Sequence, residues 1–341
     1  MRAVTIDGYG FENVAVRELP EPEPGPHDVV VRLRAGALNH LDLWTLEDAL
    51  GLEHDFPHIL GADGTGEVEA VGSEVRGLPL RSRVLIDPAL SCGACEFCRA
   101  GEQSLCTTFR MMGEHSDGLF AERAAVPARN LHPLPAHLSY EEGAALGTTF
   151  ITAYRMLFTR GRLQPGEWVL ITGIGGGLAL SLFQLAKPVA GKIFVTSSSD
   201  EKLQRAMELG ADGAVNYENE DVGKAIRAST SKRGVDLVVD SAAGDSLGGS
   251  LRALRKGGRL VTAGATAGSP ASLDVRRLFW NQLEVIGSTM GSVRDVSNML
   301  RMVAGIEIRP IVHRTYGLDD ALAALRELKA GDHFGKIVLT I

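Results

Sequence analysis

The feature that most constrains the fold is an alternation of apolar runs and amphipathic runs in the second half of the chain. Glu167–Ile171 is an apolar run, followed by a glycine turn and the helix-periodic stretch Leu178–Lys187. Lys192–Ser197 then precedes a helix predicted over Asp200–Leu209. Apolar strands that alternate with helices are typical of a doubly wound, parallel α/β sheet. The alternation continues through Asp236–Asp240, a helix near Asp245–Leu254, and Arg259–Ala263.

The first third of the chain has a different, β-rich character. Val29–Arg34, Gly64–Val71 and Arg83–Ile86 are short strand-like runs bounded by Gly and Pro. A chain of 341 residues exceeds one ordinary hydrophobic core, so we expect two domains. The last strand, Lys336–Ile341, follows a helix predicted at Asp319–Ala330 and is free to return to the first domain.

Composition excludes several classes of function. Hydrophobic residues make up 45% of the chain and charged residues 23%, which is typical of a globular protein. The net charge of -7 gives no electrostatic support to nucleic-acid binding. No run of eighteen apolar residues predicts a membrane span, and the N-terminal residues do not resemble a secretory signal. We expect a cytoplasmic protein without nucleic-acid or membrane partners.

The glycine turn Gly173–Gly177 lies between a strand and a helix, which is the order that a dinucleotide pyrophosphate site needs. It does not match the strict G-x-G-x-x-G pattern, and the nearest register places Ile174, Gly176 and Ala179 at the three glycine positions. The alternative is a flexible turn without a ligand. The candidate cofactor residues here are Gly175, Gly176, Gly177 and Leu178.

The end of the following strand indicates which cofactor is bound. NAD enzymes usually place an acidic residue there for the ribose diol. Here Ser197 and Ser198 leave room for a 2′-phosphate, with which Lys202 can pair, whereas Asp200 is expected to cap the next helix. The residues therefore favour NADPH over NADH. The alternative for Lys202 is a solvated helix face.

Four cysteines form one local cluster, with the spacing Cys92-x2-Cys95-x2-Cys98-x7-Cys106, and the chain has no others. Four thiolates at such a spacing can surround one Zn²⁺ and close all its coordination positions. This predicts one structural zinc per chain, in a lobe over residues 91–107. The alternative is a reduced cluster without metal.

Together these motifs resemble the medium-chain dehydrogenase/reductase superfamily over essentially the whole chain. The resemblance implies a GroES-like catalytic domain at 1–147 and 289–341, a Rossmann dinucleotide-binding domain at 148–288, a cofactor cleft between them, and a homodimer or homotetramer. The matching landmarks are Pro22–Pro26, Ala37–Asp42, Leu60–Gly66, the cysteine lobe, the glycine turn, Glu208–Asp212 and Phe334–Leu339.

The chain departs from the family at the catalytic metal. Where zinc alcohol dehydrogenases carry a ligating Cys this chain has Asn39, their His-Glu pair falls on Ala62 and Asp63, and their third ligand falls near Thr148. Ala has no ligand atom, and Asn and Thr are poor zinc ligands. The sequence is more similar to the quinone oxidoreductase branch, which lacks the catalytic zinc.

The resemblance also implies further cofactor contacts by position, although loop packing is the alternative for each. Thr152 resembles a residue near the nicotinamide, and Tyr217 resembles the aromatic side chain at the adenine. The remaining positions at strand ends are Ser241, Gly264, Ala265, Ser288 and Thr289.

Without a Lewis acid, acceptors that delocalise the incoming charge are easier to reduce than simple ketones. We therefore expect hydride transfer from NADPH to a quinone or an α,β-unsaturated carbonyl. Asn39 is the candidate for holding the acceptor oxygen, His40 for donating a proton or binding a cofactor phosphate, and Asp42 for orienting His40 or capping a helix. Two alternatives remain: an alcohol or aldehyde dehydrogenase of the zinc-containing type, and a low-turnover NADPH-binding redox sensor.

Overall fold

The computed structural model describes residues 1–49, 51–244 and 246–341, and the chain divides into two compact units. Unit 1 comprises Met1–Thr149 and Ser292–Ile341, and unit 2 comprises Phe150–Gly291. The sequence places these boundaries at 147/148 and 288/289. Asp245, the first residue of one predicted helix, lies outside the described residues.

Unit 1 is built mainly from antiparallel strands around a mixed sheet in the order β10-β6-β5-β3-β18-β17, with β9 also pairing with β3. Smaller sheets, β2-β1-β4 and β7-β8, complete it. The elements are β1 Arg2–Ile6, β2 Val14–Glu18, β3 Asp28–Ala37, α1 His40–Leu46, β4 His58–Ile59, β5 Asp63–Val71, β6 Arg83–Ile86, β7 Ala89–Leu90, α2 Glu96–Arg99, β8 Arg110–Met111, β9 Arg123–Pro127, β10 Leu131–Pro133, α3 Tyr140–Ala144, α4 Gly147–Tyr154 (which ends in unit 2), α10 Val293–Gly305, β17 Val312–Gly317, α11 Ala321–Ala330 and β18 Lys336–Thr340.

The last strand of the chain returns to unit 1, as the sequence predicts. Strand β18 pairs antiparallel with β3, so that Val338 lies opposite Ala37. The loop after β3 and the start of β18 are thereby held side by side. This pairing brings residues almost 300 positions apart into one buried site, which is described below.

Unit 2 is a six-stranded parallel sheet in the order β13-β12-β11-β14-β15-β16, which is the Rossmann order with the first strand at the centre. Strand β14 is buried along its full length, as a central strand covered on both faces must be. The elements are β11 Trp168–Ile171, α5 Gly177–Ala186, β12 Lys192–Ser197, α6 Asp200–Glu208, β13 Gly213–Asn216, α7 Val222–Ser229, β14 Val235–Asp240, α8 Ser246–Ala253, β15 Leu254–Thr262, α9 Val275–Trp280 and β16 Glu284–Gly287.

Among the residues that the structure describes, five short helical turns link these elements. Four are 3₁₀ turns and one is a π-helical turn that continues α4. None of the helices in the described part of the chain is both long and apolar enough to cross a membrane. The turns are Phe11–Asn13, Gln103–Leu105, Ala128–Asn130, Arg155–Arg160 (π) and Leu318–Asp320.

One local prediction is wrong. Asp200 was expected to cap α6, but Ser199 is the N-cap and its hydroxyl accepts from the Lys202 N–H. Asp200 is instead the first helical residue, where its carboxylate accepts a hydrogen bond of 2.6 Å from the Asn216 side chain. Serine and aspartate are about equally good N-caps, so residue type alone does not decide whether Ser199 or Asp200 caps the helix. Asp200 is exposed, and its carboxylate does not cap the helix.

Candidate functional site

The four cysteines converge in the lobe of unit 1. Their sulfur atoms all lie within 4.8 Å of one another, and Cys92 Sγ is 3.9 Å from Cys98 Sγ. Sulfurs around a tetrahedral zinc lie about 3.8 Å apart, given a Zn–S distance of about 2.3 Å. A hydrogen bond from the Cys98 N–H lowers the pKa of Cys95 to about 6, so this sulfur is readily a thiolate. The arrangement fits a closed structural zinc site.

A buried polar network joins Asn39, Asp63 and Thr148, the positions that the sequence analysis compared with zinc ligands. At its centre is the ammonium group of Lys336, which is 5% exposed. Its Nζ donates to the Leu38 carbonyl at 2.6 Å, to Asn39 Oδ1 at 2.6 Å and to Asp63 Oδ2 at 3.3 Å. Burial lowers the pKa of Lys336, and the charges of Asp63 and Asp42 oppose that shift. The three acceptors around Nζ, one of them a carboxylate, favour the charged form of Lys336.

The carboxylate of Asp63 is fully buried and is saturated with donors. Its Oδ1 accepts from the Thr148 N–H at 2.6 Å and from the Thr148 hydroxyl at 2.7 Å. Its Oδ2 accepts from Asn39 Nδ2 at 2.9 Å and from Lys336. Gly147 permits this contact, because a Cβ at that position would overlap the carboxylate. Asp63 therefore binds the N-terminus of α4, where the helix dipole favours negative charge.

The side chain of Asn39 is committed to this network. Its Oδ1 accepts from Lys336, while its Nδ2 donates to Asp63 Oδ2 at 2.9 Å and to the Ala37 carbonyl at 3.3 Å. Both amide hydrogens thus have internal acceptors, and the residue is 8% exposed. In this arrangement Asn39 has no hydrogen left for a substrate oxygen, so the predicted substrate contact would require the network to rearrange.

Asp42 stabilises the first turn of helix α1 and forms no described hydrogen bond with His40. Its Oδ2 accepts from the Asn39 N–H at 2.6 Å, which closes the first turn of α1. Complete burial raises the pKa of Asp42 to about 7, and this hydrogen bond and the charge of Lys336 offset only part of the effect. No described hydrogen bond joins Asp42 to the imidazole of His40. Of the two predicted roles for Asp42, the geometry favours capping.

His40 is the first residue of α1 and is exposed, with its ring centroid 6.4 Å from that of Trp44. Partial desolvation lowers the pKa of His40, and the nearby positive charge of Lys336 lowers it further. The imidazole is therefore mainly neutral at pH 7. Within the described residues its ring nitrogens have no hydrogen-bond partner, so they are available to a ligand.

These side chains leave little for a metal to bind. Ala62 has no ligand atom, both carboxylate oxygens of Asp63 are occupied, and the ammonium of Lys336 would repel a second cation. Across the ranges that the structure describes, only the cysteine cluster brings three or more His, Cys, Asp or Glu side chains within ligating distance of one another.

In unit 2 the glycine turn has the conformation that a phosphate site requires. Gly173 and Gly175 have positive φ values of 69° and 123°. The N-cap of α5 is Gly176, which has no side chain to bond the first N–H groups of the helix. These N–H groups and the dipole of α5 are suited to an anion. Gly177 and Leu178 form the first turn of that helix.

Lys202 reaches across to this turn. A Cβ at Gly175 would lie 2.6 Å from Lys202 Cδ, so the absence of a side chain there lets the lysine stem pass over the turn. Lys202 is half-buried and belongs to the first turn of α6. The stem of Lys202 therefore lies against the turn where a pyrophosphate would bind.

The two serines predicted to lie near the adenosine ribose differ in their exposure to solvent. Ser197 is buried, and its hydroxyl accepts from the Ser199 N–H at 3.2 Å, whereas Ser198 is exposed. Tyr217 is 45% exposed, and its N–H donates to the Ser197 carbonyl at 3.1 Å. Tyr217 and Ser198 are thus adjacent at the ends of neighbouring strands, as residues around an adenosine would be.

Most of the other predicted cofactor residues follow the strands β14, β15 and β16 at the carboxyl edge of the sheet, and Thr152 lies in helix α4. Gly264 is packed against the Ser241 carbonyl, where a Cβ would come within 2.6 Å of the oxygen. Thr152 donates to Met290 Sδ at 3.6 Å. Ala265 accepts from the Gly268 N–H at 3.0 Å, and Thr289 is exposed.

Two buried hydroxyls at this edge lack a hydrogen-bond partner among the described residues. They are Thr172 Oγ1, at the end of β11, and Ser288 Oγ, after β16. Buried polar atoms are usually satisfied, so both are candidates for ligand contacts. Ser288 was predicted, whereas Thr172 was missed because it precedes the glycine motif. Together with the glycine turn and the strand-end residues of unit 2, these two hydroxyls fit the binding of a nicotinamide dinucleotide.

Family models match most of the chain. Residues 25–136 match the alcohol dehydrogenase GroES-like domain, and residues 177–305 match the zinc-binding dehydrogenase domain. The first match lies in unit 1, and the second covers most of unit 2 and helix α10.

Several proteins are similar over the whole length. A zinc-type alcohol dehydrogenase-like protein from Leptosphaeria maculans is 32% identical, over 98% of this chain and 96% of its own. An acryloyl-coenzyme A reductase from Metallosphaera sedula is 30% identical over the full length of both chains. The crystal structure of an NAD-dependent alcohol dehydrogenase has a TM-score of 0.95 and 41% identity, with both chains fully covered.

Proposed function

Because the chain belongs to the medium-chain dehydrogenase/reductase superfamily, we propose that it transfers hydride from NADPH to an α,β-unsaturated carbonyl compound or a quinone, without a metal at the reaction site. The nicotinamide supplies the hydride when bound. The residues of the chain bind and orient the two reactants and supply the charge around them.

The observation that carries this proposal is the buried network of Lys336, Asp63, Asn39 and Thr148. In it the carboxylate accepts four hydrogen bonds and the ammonium takes three acceptors. A zinc ion requires free lone pairs on its ligands. Here those lone pairs are already used by N–H and O–H donors, and a cation that cannot act as a Lewis acid is fixed among them.

A site with a fixed ammonium but no Lewis acid favours conjugated acceptors. Hydride added to the β-carbon moves an electron pair onto the carbonyl oxygen, and a proton then completes the α-carbon or the oxygen. The neutral imidazole of His40 is the exposed donor of unit 1 that lies near Lys336. His40 can hold the developing oxyanion by hydrogen bond, while water supplies the proton.

The acceptor class extends to enoyl thioesters. The relative from Metallosphaera sedula is named for acryloyl-coenzyme A, which is an α,β-unsaturated thioester. A thioester carbonyl is an electron sink of the same kind as an enone carbonyl. We therefore propose that short enoyl thioesters belong among the acceptors to be tested.

For the cofactor, we propose a preference for NADPH. Ser198 is exposed at the end of β12, and the ammonium of Lys202 lies close to the phosphate turn. Together they offer space and positive charge for a 2′-phosphate. Two observations favour NADH instead: the exposed carboxylate of Asp200, and the similarity to an NAD-dependent alcohol dehydrogenase. The ratio of kcat/KM for the two cofactors decides between them.

Alcohol or aldehyde oxidoreduction is the second candidate, and the similarity to alcohol dehydrogenases favours it. The Thr148 hydroxyl donates to Asp63, so its remaining lone pairs can accept from an alcohol hydroxyl. This candidate requires chelator-sensitive turnover of simple ketones and a second zinc per chain.

The deciding experiment combines metal content with an acceptor panel. Purified protein is expected to hold one zinc per chain, bound by Cys92, Cys95, Cys98 and Cys106. NADPH oxidation is then measured with a cyclic enone, a quinone, an enoyl thioester and the matched saturated ketone, before and after a chelator that leaves the fold intact. We expect turnover of the conjugated acceptors, unchanged by the chelator. Chelator-sensitive ketone reduction contradicts the proposal, and NADPH binding without turnover favours a redox sensor.

We further propose a homodimer formed through the edge of the unit 2 sheet. Strand β16 ends the sheet, and Val285 on it is 37% exposed. Phe279 and Trp280, just before it, are 62% and 74% exposed. An open strand edge beside exposed aromatic side chains is a pairing surface. Trp280→Glu should yield monomers by light scattering, and an unchanged mass contradicts this interface.

A further inference from the structure

Unit 2 contains a cavity that none of the proposed chemistry uses. Its volume is about 240 Å³, and five of the side chains around it carry a positive charge. Two carboxylates adjoin the cationic groups: Asp221, which binds Arg252 at 2.9 Å, and Asp274, which caps α9. Positive charge therefore remains in excess at the cavity. Its lining residues are Gly223, Lys224, Arg227, Arg252, Lys256, Arg277 and Asn281.

Two of the guanidinium groups are held in place by carbonyls at the end of helix α8 and the start of β15. Arg277 donates to the carbonyls of Leu251 at 3.3 Å and Arg252 at 3.1 Å, and Arg227 donates to the Leu254 carbonyl at 3.3 Å. Cations commonly satisfy the last carbonyls of a helix. These contacts explain two of the side chains and Asp221 binds Arg252, but no described hydrogen bond accounts for the ammonium groups of Lys224 and Lys256 at the same cavity.

Glycines shape the floor of the cavity. Gly223 on α7 faces Arg252, where a Cβ would overlap the arginine Cβ. Gly249 lies beside the same side chain, and a Cβ there would be 3.8 Å from Arg252 Nη2. The absence of side chains lets α7 and α8 approach closely and leaves room around the guanidinium of Arg252.

The cavity is separate from the cofactor edge of the sheet. The dinucleotide binds outside the carboxyl ends of the strands. The cavity lies instead near the amino end of β15, where its lining residue Lys256 is the third residue of the strand. A ligand in this cavity would therefore not be the nicotinamide cofactor.

The cationic groups repel one another in the free protein. Partial burial lowers the pKa of Arg277, and the charges of Arg227 and Arg252 lower it further. A bound anion would relieve this repulsion. Arginine forks bind phosphate oxygens two at a time, and lysine ammonium groups add point charges. The volume is below the about 300–1,000 Å³ of pockets for drug-sized ligands, so a compact anion fits best.

We propose that this cavity is a binding site for a ligand with linked phosphates, held between Arg227, Arg252 and Arg277 and enclosed by Lys224 and Lys256. The linked phosphates belong either to free pyrophosphate or to a nucleoside diphosphate. In both cases the site recognises the same group, two adjacent phosphates with several negative charges.

The test measures the binding of inorganic pyrophosphate by titration calorimetry to the full chain, with the cofactor site saturated by NADPH. The variant is Lys224→Gln with Lys256→Gln, because both side chains are exposed and leave the helix contacts of Arg227 and Arg277 intact. The matched control is Lys187→Gln with Lys192→Gln, which removes the same charge from exposed positions elsewhere in unit 2. Thermal melts check that all three proteins are folded.

We expect pyrophosphate to bind wild type and control alike, and at least tenfold more weakly to the cavity variant, with affinity falling as salt rises. Absence of binding to the wild type at about 0.15 M salt overturns the proposal, as does equal weakening in the control and cavity variants. A parallel titration with ADP distinguishes the two ligand sources. If ADP binds more tightly than pyrophosphate, the ligand is a nucleoside diphosphate; if ADP binds more weakly, the ligand is free pyrophosphate. Either order supports the site.

Discussion

Replacing Lys336 by Met removes the buried cation while keeping a long side chain of similar reach. The change leaves the carboxylate of Asp63, which is fully buried, without its ion partner, and it deprives the Leu38 carbonyl and Asn39 Oδ1 of donors at 2.6 Å. Breaking a buried ion pair by removing one partner costs about 3–5 kcal/mol. We therefore expect Lys336→Met to be among the more destabilising single substitutions in unit 1.

The assay is urea or thermal unfolding of the apo protein. For a domain of this size each kcal/mol corresponds to about 2–4 °C in Tm, so a shift well above 5 °C is expected. Lys336→Arg is the matched control, since it keeps the charge. Lys336→Met combined with Asp63→Asn should lose less than the sum of the two single variants, with a coupling of about 1–3 kcal/mol. A loss below about 1 kcal/mol in Lys336→Met, or strict additivity, would refute the account of the network.

Four further predictions follow from the same structure. In Lys336→Met the pKa of His40 should rise, because a positive charge that lowers it has been removed, and an NMR titration of the imidazole measures this. Ser198→Asp should shift the kcat/KM ratio toward NADH, since the exposed strand end gains the acidic group that a ribose diol prefers; an unmoved ratio contradicts the assigned position. The pKa of Asp42 rises to about 7 on folding, so between about pH 4 and pH 7 the native state keeps a proton there that the unfolded state has lost. Wild type should therefore lose stability relative to Asp42→Asn as pH rises through that window, and parallel unfolding curves across it would be the contrary result. Cys106→Ser should lower the zinc content below one per chain and destabilise the lobe while NADPH binding persists, as metal analysis and calorimetry can show.

Sequence periodicity was sufficient to predict the architecture of unit 2, whereas the GroES-like fold of unit 1 was implied by the family resemblance. The strand–helix alternation predicted the parallel sheet, and α5 begins and ends within one residue of its predicted bounds. The cap of α6 was misplaced by one residue, because Ser199 and Asp200 are similar N-caps and only the backbone decides between them. Local patterns thus predict elements well and their ends less well.

The candidate site was only half predictable. Asn39, Asp63 and Thr148 stood out because the family resemblance aligns each with a position where zinc-dependent members are expected to bind metal, so the sequence alone drew attention to these three residues. Lys336 was part of a matching motif, but nothing marked it as the partner of Asn39, which lies 297 positions away. Only the pairing of β18 with β3 brings them together. Contacts at that separation depend on sheet register, which one sequence does not specify.

The four donors around the carboxylate of Asp63 determine what it would take to build a metal centre at this place. Changing Asn39 to cysteine would supply one sulfur ligand, yet the ammonium of Lys336 would still lie beside it, and Thr148 would still bind the carboxylate. Removing one partner alone would leave the buried carboxylate of Asp63 with an incomplete set of donors. Converting this site into a metal centre would therefore require Asn39, Thr148 and Lys336 to be replaced together.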